Sequence, residues 1–114
     1  MKQSKRRRLE ATGWKFGSAK EFLNLTDEDV EYIELHLSLA ALLKKRRESL
    51  GYTQTDVADL IGSSQSRVAK MEAGDPSVSV DLLIRSLLAL GVKRKQVGRA
   101  IGAAISPMRL GISY

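Results

Sequence analysis

In the stretch GSSQSRVAKMEAG, Gly62 to Gly74, Ser64, Gln65, Ser66, Arg67 and Lys70 could make hydrogen bonds to a partner. Ser64 is placed to cap a helix, and the residues behind it crowd the first turn with amide, hydroxyl and guanidinium groups. Gln carries a donor and an acceptor side by side, Arg a fork of donors, and Ser can play either role. Beyond capping, such groups at a helix start serve to offer hydrogen bonds to something outside the protein. Bond-making chemistry lacks its residues. The chain has no cysteine and one histidine, His36, so disulfides, zinc–thiolate sites and thiol nucleophiles are excluded, and His36 alone cannot build a metal centre. With no phosphate-cradling glycine loop and no carboxylate pair outside a helix cap, no enzyme, metal or cofactor is expected.

The elements that must position these groups read as helices. Residues 19–23 suggest a short helical turn, and Thr26 caps a long helix that opens on Asp27, Glu28 and Asp29, where negative charge suits the helix dipole. Val30, Ile33, Leu37, Ala40 or Ala41, and Leu43 recur at helical spacing up to about Leu50. Leu35, Leu39 and Leu42 widen that stripe, so the two halves of the helix are expected to bury different faces. Gly51 stops it. Thr53, with Asp56 three residues on, predicts a capping box and a two-turn helix with Val57, Ala58, Leu60 and Ile61 turned inward. Gly62 allows a tight turn, Ser64 caps the next helix with Val68 and Met71 inside, and Gly74 ends it. Ser77 or Ser79 starts a leucine-rich helix up to Gly91. A weaker last helix holds Val97 and Ile101. The fold class is all-α.

At 114 residues the chain has one core's worth of sequence. Its net charge of +6 is unevenly spread: residues 1–8 carry +5, residues 9–43 carry −5, residues 44–74 carry +2 and residues 75–114 carry +4. Basic ends around an acidic segment suggest two different partners, one of them a polyanion. Residues 1–13 form a basic arm without periodicity, expected to be disordered, 14–35 an acidic extension, 36–105 the compact domain, and 106–114 a tail. The arm is either a solvated tail or, through Arg6, Arg7 and Arg8, a phosphate- or groove-tracking segment. No apolar run is long enough to span a membrane and no signal peptide is visible, so a cytoplasmic protein is expected.

Two short helices joined by a glycine turn, the second opening on polar residues, make a helix-turn-helix. The stretch YTQTDVADLIGSSQSRVAKMEAGDPSVSVDLLIRSLLALG resembles the phage-repressor-like (XRE) helix-turn-helix family of bacterial regulators. The likeness runs through Thr53-Gln54, Ala58, the turn Gly62, the Ser/Gln-rich helix start, Glu72, Gly74 and the leucine-rich helix, and covers roughly residues 36–92. It implies a five-helix repressor-like domain, here with an N-terminal helical extension, that represses transcription by binding double-stranded DNA. It also implies that Ser64, Gln65, Ser66, Arg67 and Lys70 face the major groove, with Gln65 reading adenine. Gln54 and Thr53 would then meet phosphate at a helix N-terminus. In the family an acid at Glu72 pairs with an arginine of the first helix, here Arg47 or, as second choice, Arg46; the position of Arg46 is usually apolar there. A palindromic operator read by a homodimer follows, with Leu87, Leu90, Val97 and Ile101 as its expected interface.

The acidic extension, with the LTDEDVEYIELHLSLA helix and the domain behind it, resembles HigA-type antitoxins of toxin–antitoxin modules. That likeness implies binding to a basic RelE-like ribonuclease toxin, for which Trp14, Phe16, Phe22 and Tyr32 are the expected contacts. The alternative is a stand-alone repressor in which those aromatics seal the bundle.

Overall fold

The computed structural model describes residues 21–102; the basic arm with Arg6, Arg7 and Arg8, the first residues of the acidic extension with Trp14 and Phe16, and the 106–114 tail lie outside the described residues. From Asp27 to Gly102, five helices follow in order: α1 (Asp27–Ser49), α2 (Gln54–Ile61), α3 (Gln65–Glu72), α4 (Val80–Ala89) and α5 (Arg94–Gly102). No strand occurs among the described residues, so the all-α class expected from periodicity is the class observed.

Contacts divide the described residues into two units, 21–33 and 34–102. In the first, residues 21–23 are helical and Asn24 turns the chain at a φ of 58°. Thr26 starts α1 with a reciprocal cap: its hydroxyl accepts from Asp29 N–H at 3.0 Å while the Asp29 carboxylate accepts from Thr26 N–H at 2.9 Å. Phe22, Leu23 and Tyr32 are exposed.

In the second unit α2 and α3 have eight residues each, too short to persist alone, so their stability must come from the face they bury. Val57 and Ala58 of α2 and Val68 and Met71 of α3 meet Leu39 and Leu43 of α1, and Leu83 and Leu87 of α4, in one core that Leu90, Val92 and Val97 complete. Local chemistry sets each helix start. Thr53 caps α2 with the reciprocal Asp56 bond, Ser64 accepts from Arg67 N–H at 3.2 Å, and Ser79 rather than Ser77 caps α4 by accepting from Leu82 N–H at 3.1 Å.

The helix ends are made by glycines with positive φ, Gly51, Gly62, Gly74 and Gly91. At Gly74 the backbone disfavours a side chain, and a side chain would also displace the end of the exposed Leu37. Its φ is +72°, and a Cβ there would stand 2.5 Å from Leu37 Cδ2.

Four packing features depart from expectation. Leu37, in the apolar stripe of α1, is 45% exposed. Leu60, expected inside, is 58% exposed, because in so short a helix Val57, Ala58 and Ile61 already fill the buried face. Arg46, at a position usually apolar in the repressor family, is half-buried and its Nε donates to Leu90 O at 2.8 Å. It thereby satisfies a terminal carbonyl of α4 and places a cation at the negative end of that helix. Leu87, Leu90 and Val97, expected at a dimer interface, are buried inside the single chain, while Ile101 is half-buried and Leu88 exposed.

Ser86 is buried in α4 and its Oγ has no hydrogen-bond partner. An unsatisfied buried hydroxyl carries a desolvation cost, and alanine is both the better helix former and smaller by one oxygen. Ser86→Ala is therefore expected to raise folding stability by about 1 kcal/mol. A urea titration checks this; a lowered midpoint would mean that the hydroxyl is satisfied in solution.

Candidate nucleic-acid interface

A line of hydrogen bonds runs from the end of α1 to the start of α3. Arg47 grips the Glu72 carboxylate with two bonds, Nε to Oε2 at 2.6 Å and Nη2 to Oε1 at 3.0 Å, while its Nη1 donates to Tyr52 O at 2.9 Å. Arg47, not Arg46, is thus the partner of Glu72. The Glu72 hydrogen bond, more than its charge alone, raises the Arg47 pKa. Gln54 Nε2 donates to Glu72 Oε1 at 3.2 Å, and Gln65 Nε2 donates to Gln54 Oε1 at 2.7 Å.

The carboxylate at one end dictates how every amide in this line is turned. An ionised Glu72 can only accept, so Gln54 must present its NH₂ to it and its oxygen to Gln65, and Gln65 must answer with its NH₂. What remains of Gln65 is one N–H and a carbonyl oxygen on the same exposed amide. That is the donor–acceptor pair complementary to the major-groove edge of adenine. Gln54, half-buried, retains one N–H for an outside acceptor.

Ser64, Ser66, Arg67 and Lys70 are exposed along the same helix. With Ser77 and Val78 of the following loop they line a groove of about 260 Å³ that carries two cations and three hydroxyls. Ser64 and Ser66 oxygens lie 3.2 Å apart, and Ser64 spends its acceptor on the Arg67 N–H of the cap. Thr53 likewise uses its hydroxyl oxygen for Asp56 N–H, at 3.0 Å, and gives its own N–H to Asp56 Oδ2 at 2.8 Å. The Asp56 carboxylate partly offsets the positive end of α2, which leaves the spare Gln54 N–H as the best-placed phosphate donor at that end.

The loop behind α3 is pinned from two sides. His36 is buried in α1 and donates Nε2–H to Val78 O at 2.6 Å. Within the loop, Asp75 Oδ1 accepts from Ser77 N–H at 2.8 Å. Hydrogen bonds from the Ser77 side chain and then its backbone hold the Asp75 carboxyl below the ordinary carboxylate range, with Lys70 and His36 adding to the effect. A carboxyl with a depressed folded pKa stabilises the fold above its unfolded value, ordinarily near 3.9, and loses that contribution as the pH falls through the folded value. Ser77→Ala is expected to move the Asp75 titration, followed by NMR, upward toward the ordinary value. An unmoved midpoint would make the loop bond irrelevant to it.

The sequence had shown which residue types stand at 54, 65 and 72; it carried no sign of the Arg46–Leu90 bond, whose partners are 44 residues apart, nor of the His36–Val78 bond. Among the described residues there is no group of three or more metal-ligating side chains. None of the described helices is long and apolar enough to cross a membrane. No curated protein and no solved structure matches the chain. Residues 43–97, from the core Leu43 of α1 to Val97 of α5, match the family model described as helix-turn-helix, and this part of the chain is a helix-turn-helix DNA-binding domain.

Proposed function

We propose that the protein is a sequence-specific transcriptional repressor that reads a palindromic DNA operator as a homodimer. The observation that carries the reading is the bonded line Arg47–Glu72–Gln54–Gln65, which holds a donor–acceptor amide rigidly at the exposed start of α3. Gln65, Arg67, Lys70 and Ser66 meet base edges, and the remaining Gln54 N–H meets phosphate and sets register. The arm with Arg6, Arg7 and Arg8 extends the contact to further phosphates. One half-site of a few base pairs supplies little binding energy, so two copies act together. With Leu87, Leu90 and Val97 committed to the core, a second copy would meet Leu88 and Ile101.

Selection of bound fragments from a randomised DNA pool by the purified chain tests this reading. A symmetric consensus with half-sites about one helical turn apart supports it; binding without any enriched sequence would overturn it.

A second reading, an antitoxin that also represses its own operon, has one observation in its favour. Phe22 and Tyr32 are exposed in the unit that carries the acidic Asp27, Glu28 and Asp29. Such aromatic and acidic groups would suit a basic ribonuclease toxin. Co-purification from the native cell with a small basic ribonuclease, together with operator binding, would support it; operator binding with no such partner leaves the plain repressor.

A further inference from the structure

We propose that the outer face of α2 is a docking site for a basic, apolar-anchored segment of another protein, separate from the DNA-reading row of α3. Leu60 is 58% exposed, the most exposed of the large apolar side chains among the described residues. Beside it, Tyr52, Asp56 and Asp59 line the same shallow depression of about 370 Å³. A single exposed leucine is unremarkable on a protein surface. Here, however, the leucine and an aromatic residue share one depression with two carboxylates. α2 contains no lysine or arginine to neutralise them, in a chain whose net charge is +6.

The 100° step of a helix puts Asp56, Asp59 and Leu60 on the side opposite Val57, Ala58 and Ile61. Gln54, which bonds Glu72 and Gln65, lies on the inward side as well. Asp56 is committed to the α2 cap through one oxygen, whereas Asp59 has neither hydrogen bond nor ion pair among the described residues. The face therefore contributes an apolar anchor and uncompensated negative charge while the fold uses neither.

Charge decides between the occupants. Nucleic acid is repelled by carboxylates on a helix that carries no cation of its own. A second copy docked face to face about a twofold axis would set Asp56 and Asp59 against their own counterparts, a like-charge juxtaposition. A protein segment that offers an aliphatic side chain between lysines or arginines satisfies both parts: the aliphatic group fills the depression on Leu60 and Tyr52, and the cations pair with Asp59 and Asp56. It leaves Gln65, Arg67 and Lys70 uncovered.

The test uses the full chain, labelled with ¹⁵N, and an amidated peptide of repeating arginine, leucine and lysine as probe. Amide shifts are expected to centre on Tyr52, Asp56, Asp59 and Leu60. The same peptide with serine for leucine should bind about tenfold more weakly or worse, and so should the original peptide on Leu60→Ser, from the apolar area no longer buried. Asp59→Lys should also weaken it. Both substitutions lie on exposed positions, and unchanged thermal melting confirms that the variants fold. Equal affinity for the serine peptide, or shifts scattered away from α2, would overturn the proposal. So would a change in sedimentation of Leu60→Ser without peptide, which would assign the face to self-association. No DNA enters these measurements, so their failure is distinct from failure of the repressor reading.

Discussion

Replacing Glu72 with alanine is expected to cost about 3 kcal/mol of folding stability, a large part of the roughly 5–15 kcal/mol that holds a domain together. The Glu72 side chain is 3% exposed and that of Arg47 14%, so the pair sits where solvent cannot take over the role of the missing partner. An exposed pair would contribute well under 1 kcal/mol. Truncation here leaves the Arg47 guanidinium, which stays charged with or without its partner, inside the protein with only the Tyr52 carbonyl to bond. It also removes the acceptor that turns Gln54. Pairing Arg47→Met with Glu72→Met removes both charges and should recover most of the lost stability, because a buried ion pair replaced as a whole leaves no orphan charge. The two variants separate folding from function: the double variant is expected to fold yet lose base discrimination, since nothing then orients the Gln54–Gln65 amides. Urea midpoints for the single and double variants decide the matter. A loss below about 1 kcal/mol for Glu72→Ala would reduce the pair to an ordinary surface contact.

Helix starts were legible in the sequence because capping is local. Thr26, Thr53 and Ser64 each stand three residues before the group they bond, and each opens a helix. The direction in which an apolar residue points was less legible: Leu37, in the apolar stripe of the long helix α1, is 45% exposed. In α2, Leu60 lies at one edge of an apolar arc of about 160° that also holds residues 57, 58 and 61, and in a two-turn helix the sequence could not say that this edge would be left out of the core. For α4 and α5 the apolar face was readable but its partner was not. Leu87, Leu90 and Val97 are spent on the chain's own interior, whereas surplus apolar surface in a sequence looks the same whether another helix or another molecule covers it. Arg46 reads as a charge out of place among apolar neighbours. Its bond to Leu90 O explains it, and that bond depends on a helix crossing no local pattern encodes. The same limit hid the Gln54–Gln65 bond: both residue types were visible, their meeting across the turn was not.

Gln65→Ala is expected to lose about 1–3 kcal/mol of discrimination at one base position, roughly tenfold to a hundredfold, while binding to unrelated DNA stays as it was. The amide that alanine removes makes no contact with the core and accepts no cap bond, so the fold has no reason to respond; Gln65 is exposed and its one described partner is Gln54. Gln54→Ala should produce part of the same loss for a different reason. It leaves the Gln65 NH₂ without the acceptor that turns it, so the reading amide samples orientations in which its donor and oxygen are exchanged. It also removes one phosphate contact, which lowers affinity on every sequence while leaving the slope of the salt dependence as it was, because the glutamine amide is uncharged. Because both substitutions act on one hydrogen-bonded unit, the double variant should lose less than the sum of the singles, as groups sharing a network do. Binding of the four variants to the selected operator, to the operator changed at one base pair, and to unrelated DNA, each across a salt series, measures all of this at once. If Gln65→Ala weakens every sequence equally, it is a phosphate ligand and base reading passes to Arg67. If the two glutamines add fully, the bond between them does not orient the reader, and the line from Arg47 to Gln65 is scaffold alone.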